Sequence, residues 1–131
     1  GKKSAEERTV ERRRRDAATI AQAQQGARER RHAQAADLAQ AFRQHQAAQV
    51  EARLAALSAP ERQDLDRAFI RSQPIWAKAF REGGSSSPLA RAAFQQFAAE
   101  RLLAAEERDL EAFARARGAS IEVINLLRTA A

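Results

Sequence analysis

Between Ser4 and Leu57 the chain contains no proline and a single glycine, Gly26. Most of the other positions are Ala, Arg, Gln, Glu or Leu, the residues that lose least on entering a helix. One interior glycine costs a helix about 1 kcal/mol, too little to end it. Read without interruption, the segment is a helix of roughly 75–80 Å at 1.5 Å per residue. A helix that long frays in water unless something packs on it. A packing stripe begins at Leu38: Leu38, Phe42, His45, Gln49 or Val50, Leu54 and Leu57 approximate the 3–4 spacing of a buried face. Before Leu38 only Val10 and Ile20 are sizeable apolar residues. The spacing therefore predicts a helix whose C-terminal half docks on a domain and whose N-terminal half projects or pairs.

The rest of the chain is punctuated into further helices. Ser58-Ala59-Pro60-Glu61 is a start signal, with Ser58 as cap, Pro60 in the first turn and Glu61 completing a capping box. Leu65, Phe69 and Ile70 form the stripe of the helix that follows, and Pro74 interrupts it because its ring clashes with the preceding turn. A second piece, Ile75 to Arg81, brings Trp76 and Phe80. The loop Glu82–Ser87 follows, then a Ser87/Pro88 cap. Phe94, Phe97, Leu102 or Leu103, Leu110 and Phe113 predict one amphipathic helix from Leu89 to Arg117, with an exposed acidic face at Glu106, Glu107, Asp109 and Glu111. Gly118 stops it, Ser120 caps the next, and Ile121–Thr129 is a short final helix. The large apolar side chains of these helices, Ile75 among them, are expected to supply a core. β-branched residues are scarce before the last eleven positions, which argues against a sheet. The expectation is an all-α fold: a small helical bundle of three long helices plus a short fourth, with a long basic N-terminal helix projecting. Its domains are a basic, Ala/Gln/Arg-rich helical arm over 1–37 and a helical bundle over 38–131.

Charge divides the chain at nearly the same place. The net charge is +6. Residues 1–31 hold ten Lys and Arg against five acids, and the remainder is close to neutral. Two clusters dominate, Arg12, Arg13, Arg14 and Arg15, then Arg28, Arg30 and Arg31. Four consecutive arginines on a helix point all round it, at about 100° per residue, so no single face buries them. Such a segment attracts polyanions through counterion release. It also suits an acidic protein surface, and it can remain a solvated helix whose arginines pair with Glu7, Glu11 and Asp16. Attachment to an anionic membrane is the weakest of these readings, because the face opposite the cations is alanine rather than bulky apolar residues.

Catalytic chemistry finds no foothold. There is no cysteine, hence no disulfide, thiolate nucleophile or thiolate metal site. His32 and His45 have no His or acid at the chelating i, i+4 positions. Asp64/Asp66 and Glu106/Glu107 do not share a helical face. Gly83-Gly84 lacks the lysine and the preceding strand of a phosphate loop. No stretch approaches the ~20 apolar residues of a membrane span, and no signal-peptide core is present, so a cytoplasmic protein is expected. The abundance of Ala and Arg suggests a GC-rich bacterial source.

Two stretches resemble known families. Residues 113–128 are similar to the helix-turn-helix of bacterial DNA-binding proteins, through Ala114, Gly118, Ser120, Ile124 and Leu127. They depart from it at Arg117, where an apolar residue normally closes the turn, and in placing Ile121, Val123 and Leu126 where a recognition helix presents polar groups. The plain alternative is a glycine-stopped helix followed by a short apolar helix that closes the bundle. The segments Leu57-Ser58-Ala59-Pro60-Glu61-Arg62 and 88–103 resemble the helical C-terminal region of bacterial plasmid replication and mobilisation proteins. That resemblance implies a domain that contacts DNA or a replication partner and carries no catalytic residue of its own. Taken together, the expectation is a non-enzymatic nucleic-acid-binding module, for DNA in particular, without cofactor, metal, membrane or small-molecule substrate. It would hold phosphates through Arg12, Arg13, Arg14, Arg15, Arg28, Arg30 and Arg31. The competing expectation is a structural module that self-associates as a coiled coil, or docks a partner protein, through the long helix.

Overall fold

A computed structural model of the chain describes residues 4–83 and 87–129. Among them there are helices and turns and no strand. Helix α1 spans Ala5–Ala56 without interruption, about 78 Å at 1.5 Å per residue. Ser4 starts it, its hydroxyl accepting from the Glu7 N–H at 3.2 Å, with Glu6 and Glu7 placed to favour the positive end of the helix dipole. Helix α2, Ala59–Ser72, begins in the expected capping box: Ser58 Oγ accepts from Glu61 N–H, and Glu61 Oε1 accepts from Ser58 N–H at 2.9 Å. Pro74 ends α2 and opens a 3₁₀ turn, Pro74–Trp76, which leads into α3, Ala77–Gly83. Helix α3 thus runs into the segment expected as loop. Residues 84–86 of that loop, like Lys2 and Lys3, lie outside the described residues.

The single helix expected over Leu89–Arg117 is three elements. Helix α4, Pro88–Leu102, ends at Leu103; a 3₁₀ turn covers Glu106–Arg108; and α5 is Leu110–Ala116. No proline or glycine marks the break, and its causes are both tertiary and local. Arg53, on α1, donates from Nη1 to the Leu102 carbonyl at 2.8 Å and from Nη2 to the Glu107 carboxylate at 2.9 Å. Glu107 Oε1 also accepts from the Ala104 N–H at 3.0 Å. The carbonyl that α4 leaves unmatched is satisfied by a side chain from another helix, and Asp109 then caps α5 through the N–H groups of Glu111 and Ala112. The acidic run expected as a solvated face is therefore turn machinery at Glu107 and Asp109.

Two apolar clusters assemble on α1. The first joins Val50 to Leu65, Phe69, Phe94, Phe97 and Leu103, with Trp76 and Phe80 packed on its edge. The second joins Ala35 to Ala114, Val123, Ile124 and Leu127, with Leu38 and Leu110 beside them. Phe113 sits against Phe42 and His45, ring centroids 5.4 and 5.5 Å away. Ile75 does not join the core; it is 82% exposed, because the 3₁₀ turn after Pro74 aims Trp76 inward and its neighbour out.

Helix α6, Ile121–Thr129, follows a Schellman turn. Gly118 takes φ 79°, a left-handed conformation that glycine adopts without penalty. The Ala119 N–H reaches the Ala114 carbonyl and the Gly118 N–H that of Arg115, both at 3.0 Å. Residues 117–120 and Val123 face Asp37, Leu38 and Ala41, whereas Leu127 and Thr129 face His32 and Ala36, so α6 runs antiparallel along α1.

Candidate nucleic-acid interface

The first buried side chain of α1 is Ala35. Every arginine expected at a binding site lies before it, on one unbroken helix. Arg12, Arg13, Arg14, Arg15, Arg28 and Arg30 are exposed and Arg31 is half-buried. Val10 and Ile20, the large apolar residues of this stretch, are 45% and 58% exposed. Residues 4–31 contain no aromatic ring and no buried side chain; Thr9 and Thr19 donate to the carbonyls four residues back and Gln25 to Glu29.

The two clusters are in register. Eighteen residues separate Arg12 from Arg30 and Arg13 from Arg31, and eighteen residues are five full turns, about 27 Å. Each pair therefore points to the same side of the helix. Between the clusters Ala17, Ala18, Ala21 and Ala23 alternate with longer side chains, Ile20, Gln22, Gln24 and Gln25, on a helix about 10–12 Å across. A major groove about 12 Å wide admits such a rod.

The body uses its arginines differently. Arg53 clasps the α4–α5 turn. Arg128 holds Glu111 through Nε at 2.6 Å and Nη2 at 3.1 Å, and Arg115 reaches the same carboxylate. Arg62, Arg101 and Arg117 lie over the rings of Phe94, Phe97 and Phe113 at 4.9, 4.8 and 4.3 Å. These contacts hold the Glu111 carboxyl below its ordinary range, chiefly through the Arg128 hydrogen bond, and the Glu107 carboxyl below its range, chiefly through the Ala104 N–H.

The region resembling a helix-turn-helix forms two helices about a tight turn, as expected, but the side chains fall differently. Val123, expected to face outward under that resemblance, is buried against α1 with Ile124 and Leu127. The outward face of α6 consists of Ile121, Glu122, Asn125 and Arg128. Arg128 is already engaged with Glu111 and, at 3.3 Å, with Asn125. Sequence reading did not find a further cation group, Arg67, Arg71 and Arg81, which lines a cleft on the body. The i, i+4 spacing of Arg67 and Arg71 was visible, but the addition of Arg81 depends on how the chain folds back after Pro74. Among the described residues no three His, Asp or Glu side chains gather as a metal site, and no helix is long and apolar enough to cross a membrane. No family model matches the chain, and none of the curated proteins or solved structures compared with it is a significant match.

Proposed function

We propose that this chain is a non-enzymatic nucleic-acid-binding module, for DNA in particular, in which the N-terminal half of α1 is the contact and the remainder is its mount. The observation that carries this reading is the placement of Arg12–Arg15, Arg28, Arg30 and Arg31 on the stretch of α1 before Ala35, which contributes no residue to either apolar cluster. Arg53, Arg62, Arg101, Arg117 and Arg128 on the body brace turns and cover rings, whereas those of the arm are set where a polyanion reaches them. Phosphate contact supplies affinity, and base readout adds little, because arginine fans around the rod rather than converging on one edge. A bacterial plasmid replication or mobilisation system, the setting suggested by the sequence resemblance, gives such a module its task of holding DNA for catalysis carried out elsewhere.

Titration of a DNA duplex at increasing salt tests the proposal. Several neutralised phosphates give log K a steep negative slope against log salt, roughly −4 or steeper; binding that ignores ionic strength removes the reading. A second reading is favoured by one specific feature: Val10 and Ile20 stay exposed on the N-terminal stretch of α1, ahead of its first buried residue, Ala35. On that reading α1 pairs with a second copy or another helix. Sedimentation separates the two, since a monomer at high concentration eliminates self-pairing.

A further inference from the structure

Arg67 and Arg71 are one turn apart on α2 and share a face. The break at Pro74 turns α3 so that Arg81 joins them, and with Asp64 and Ile70 they line an open cleft of about 570 Å³. All three arginines are exposed. Arg67 leans toward Asp64 at 3.7 Å, a long contact between two solvated side chains that binds neither firmly. Arg71 and Arg81 have no carboxylate partner among the described residues. Each stands in the last turn of its helix, where the dipole favours a cation. This lets the fold tolerate the guanidiniums of Arg71 and Arg81 beside Arg67 without a carboxylate for either of the two.

We infer that this cleft is a phosphate-binding site, a second backbone contact for the nucleic acid that the arm holds; the inference rests on the function proposed above. Guanidinium forks match the oxygens of a phosphate, and three of them from two helices outnumber the two oxygens of a carboxylate. The cleft is not an extension of the arm. Phe69, on α2, packs beside Val50 of α1, nineteen residues beyond Arg31 and so roughly 28 Å along the helix. One phosphate cannot serve both places.

The test is anisotropy of a labelled duplex of about 30 base pairs on the full chain across a salt series, which at 3.4 Å per pair is ample to span both sites. The substitutions Arg67→Gln, Arg71→Gln and Arg81→Gln together are expected to make the slope shallower by about 2–3. Asp64→Asn, which removes the carboxylate facing the anion, is expected to tighten binding; lost packing would not do that. Circular dichroism confirms that these exposed changes leave the helices intact. A second arm titrates inorganic pyrophosphate and follows the arginine Nε–H signals of the three residues. Pyrophosphate shifts without any effect on the duplex slope overturn the backbone assignment and give the cleft to a free phosphate ligand. Silence in both overturns the site altogether. DNA binding lost with the Arg12–Arg15 changes but untouched by the triple substitution overturns the cleft and leaves the proposed function standing. Absence of DNA binding by the unaltered chain overturns both.

Discussion

Phe69 meets the rings of Phe80, Phe94 and Phe97 at centroid separations of 5.4, 5.3 and 5.5 Å and exposes nothing to solvent. It ties α2, α3 and α4 into one cluster. Phe69→Ala is expected to cost about 3–5 kcal/mol, because the lost ring leaves a cavity that three neighbouring rings cannot fill; urea unfolding measures it. Gly26 tests the opposite region. A methyl group there meets only Arg30 Nη1, at 3.3 Å, the far end of a flexible side chain. Gly26→Ala should stabilise the arm's helix by about 0.5–1 kcal/mol, slowing amide exchange over the neighbouring residues while leaving the unfolding midpoint of the body unchanged.

The turn between α4 and α5 depends on Glu107 being ionised. Its carboxyl is held below the ordinary value of 4.5, first by the Ala104 N–H and then by Arg53. A depressed carboxyl contributes stability above its ordinary pKa, and that contribution disappears as pH falls toward the lowered value. Glu107→Gln is therefore expected to lower the thermal midpoint at pH 7 and to flatten its decline as pH falls through and below the ordinary 4.5. Equal declines in both proteins would show that the turn does not depend on this charge. The same turn marks where the sequence stopped being readable. Ser58, Pro74, Ser87 and Gly118 act through backbone rules that hold within four residues, and each ended or began a helix as expected. The break after Leu102 combines local bonds, Glu107 to the Ala104 N–H and the Asp109 cap, with an arginine 49 residues away, and no local pattern encodes that last partner. Ile75 lies outside the core for a related reason, and Val123 is buried where the helix-turn-helix resemblance would turn it outward. Helical periodicity indicates that a face is apolar, but which face is covered depends on what packs there. The arm's arginines were legible because an unpacked helix leaves nothing for tertiary structure to override. The cleft of Arg67, Arg71 and Arg81 was not, since it joins two helices across a chain reversal.

At the scale of the whole molecule, α1 serves two purposes with one helix. From Ala35 onward it is the spine on which both clusters are built, and before that it is a charged rod with no core of its own. Stability and binding should consequently be separable by substitution. The decisive measurement replaces Arg12, Arg13, Arg14, Arg15, Arg28, Arg30 and Arg31 with Gln in the full chain, then records the unfolding midpoint and the salt dependence of duplex binding together. Glutamine keeps the helix propensity, so the midpoint should stay within error of the original while the slope of log K against log salt loses most of its magnitude. A variant that binds DNA with the original slope, or one whose body unfolds markedly earlier, would contradict the division of the molecule into arm and mount.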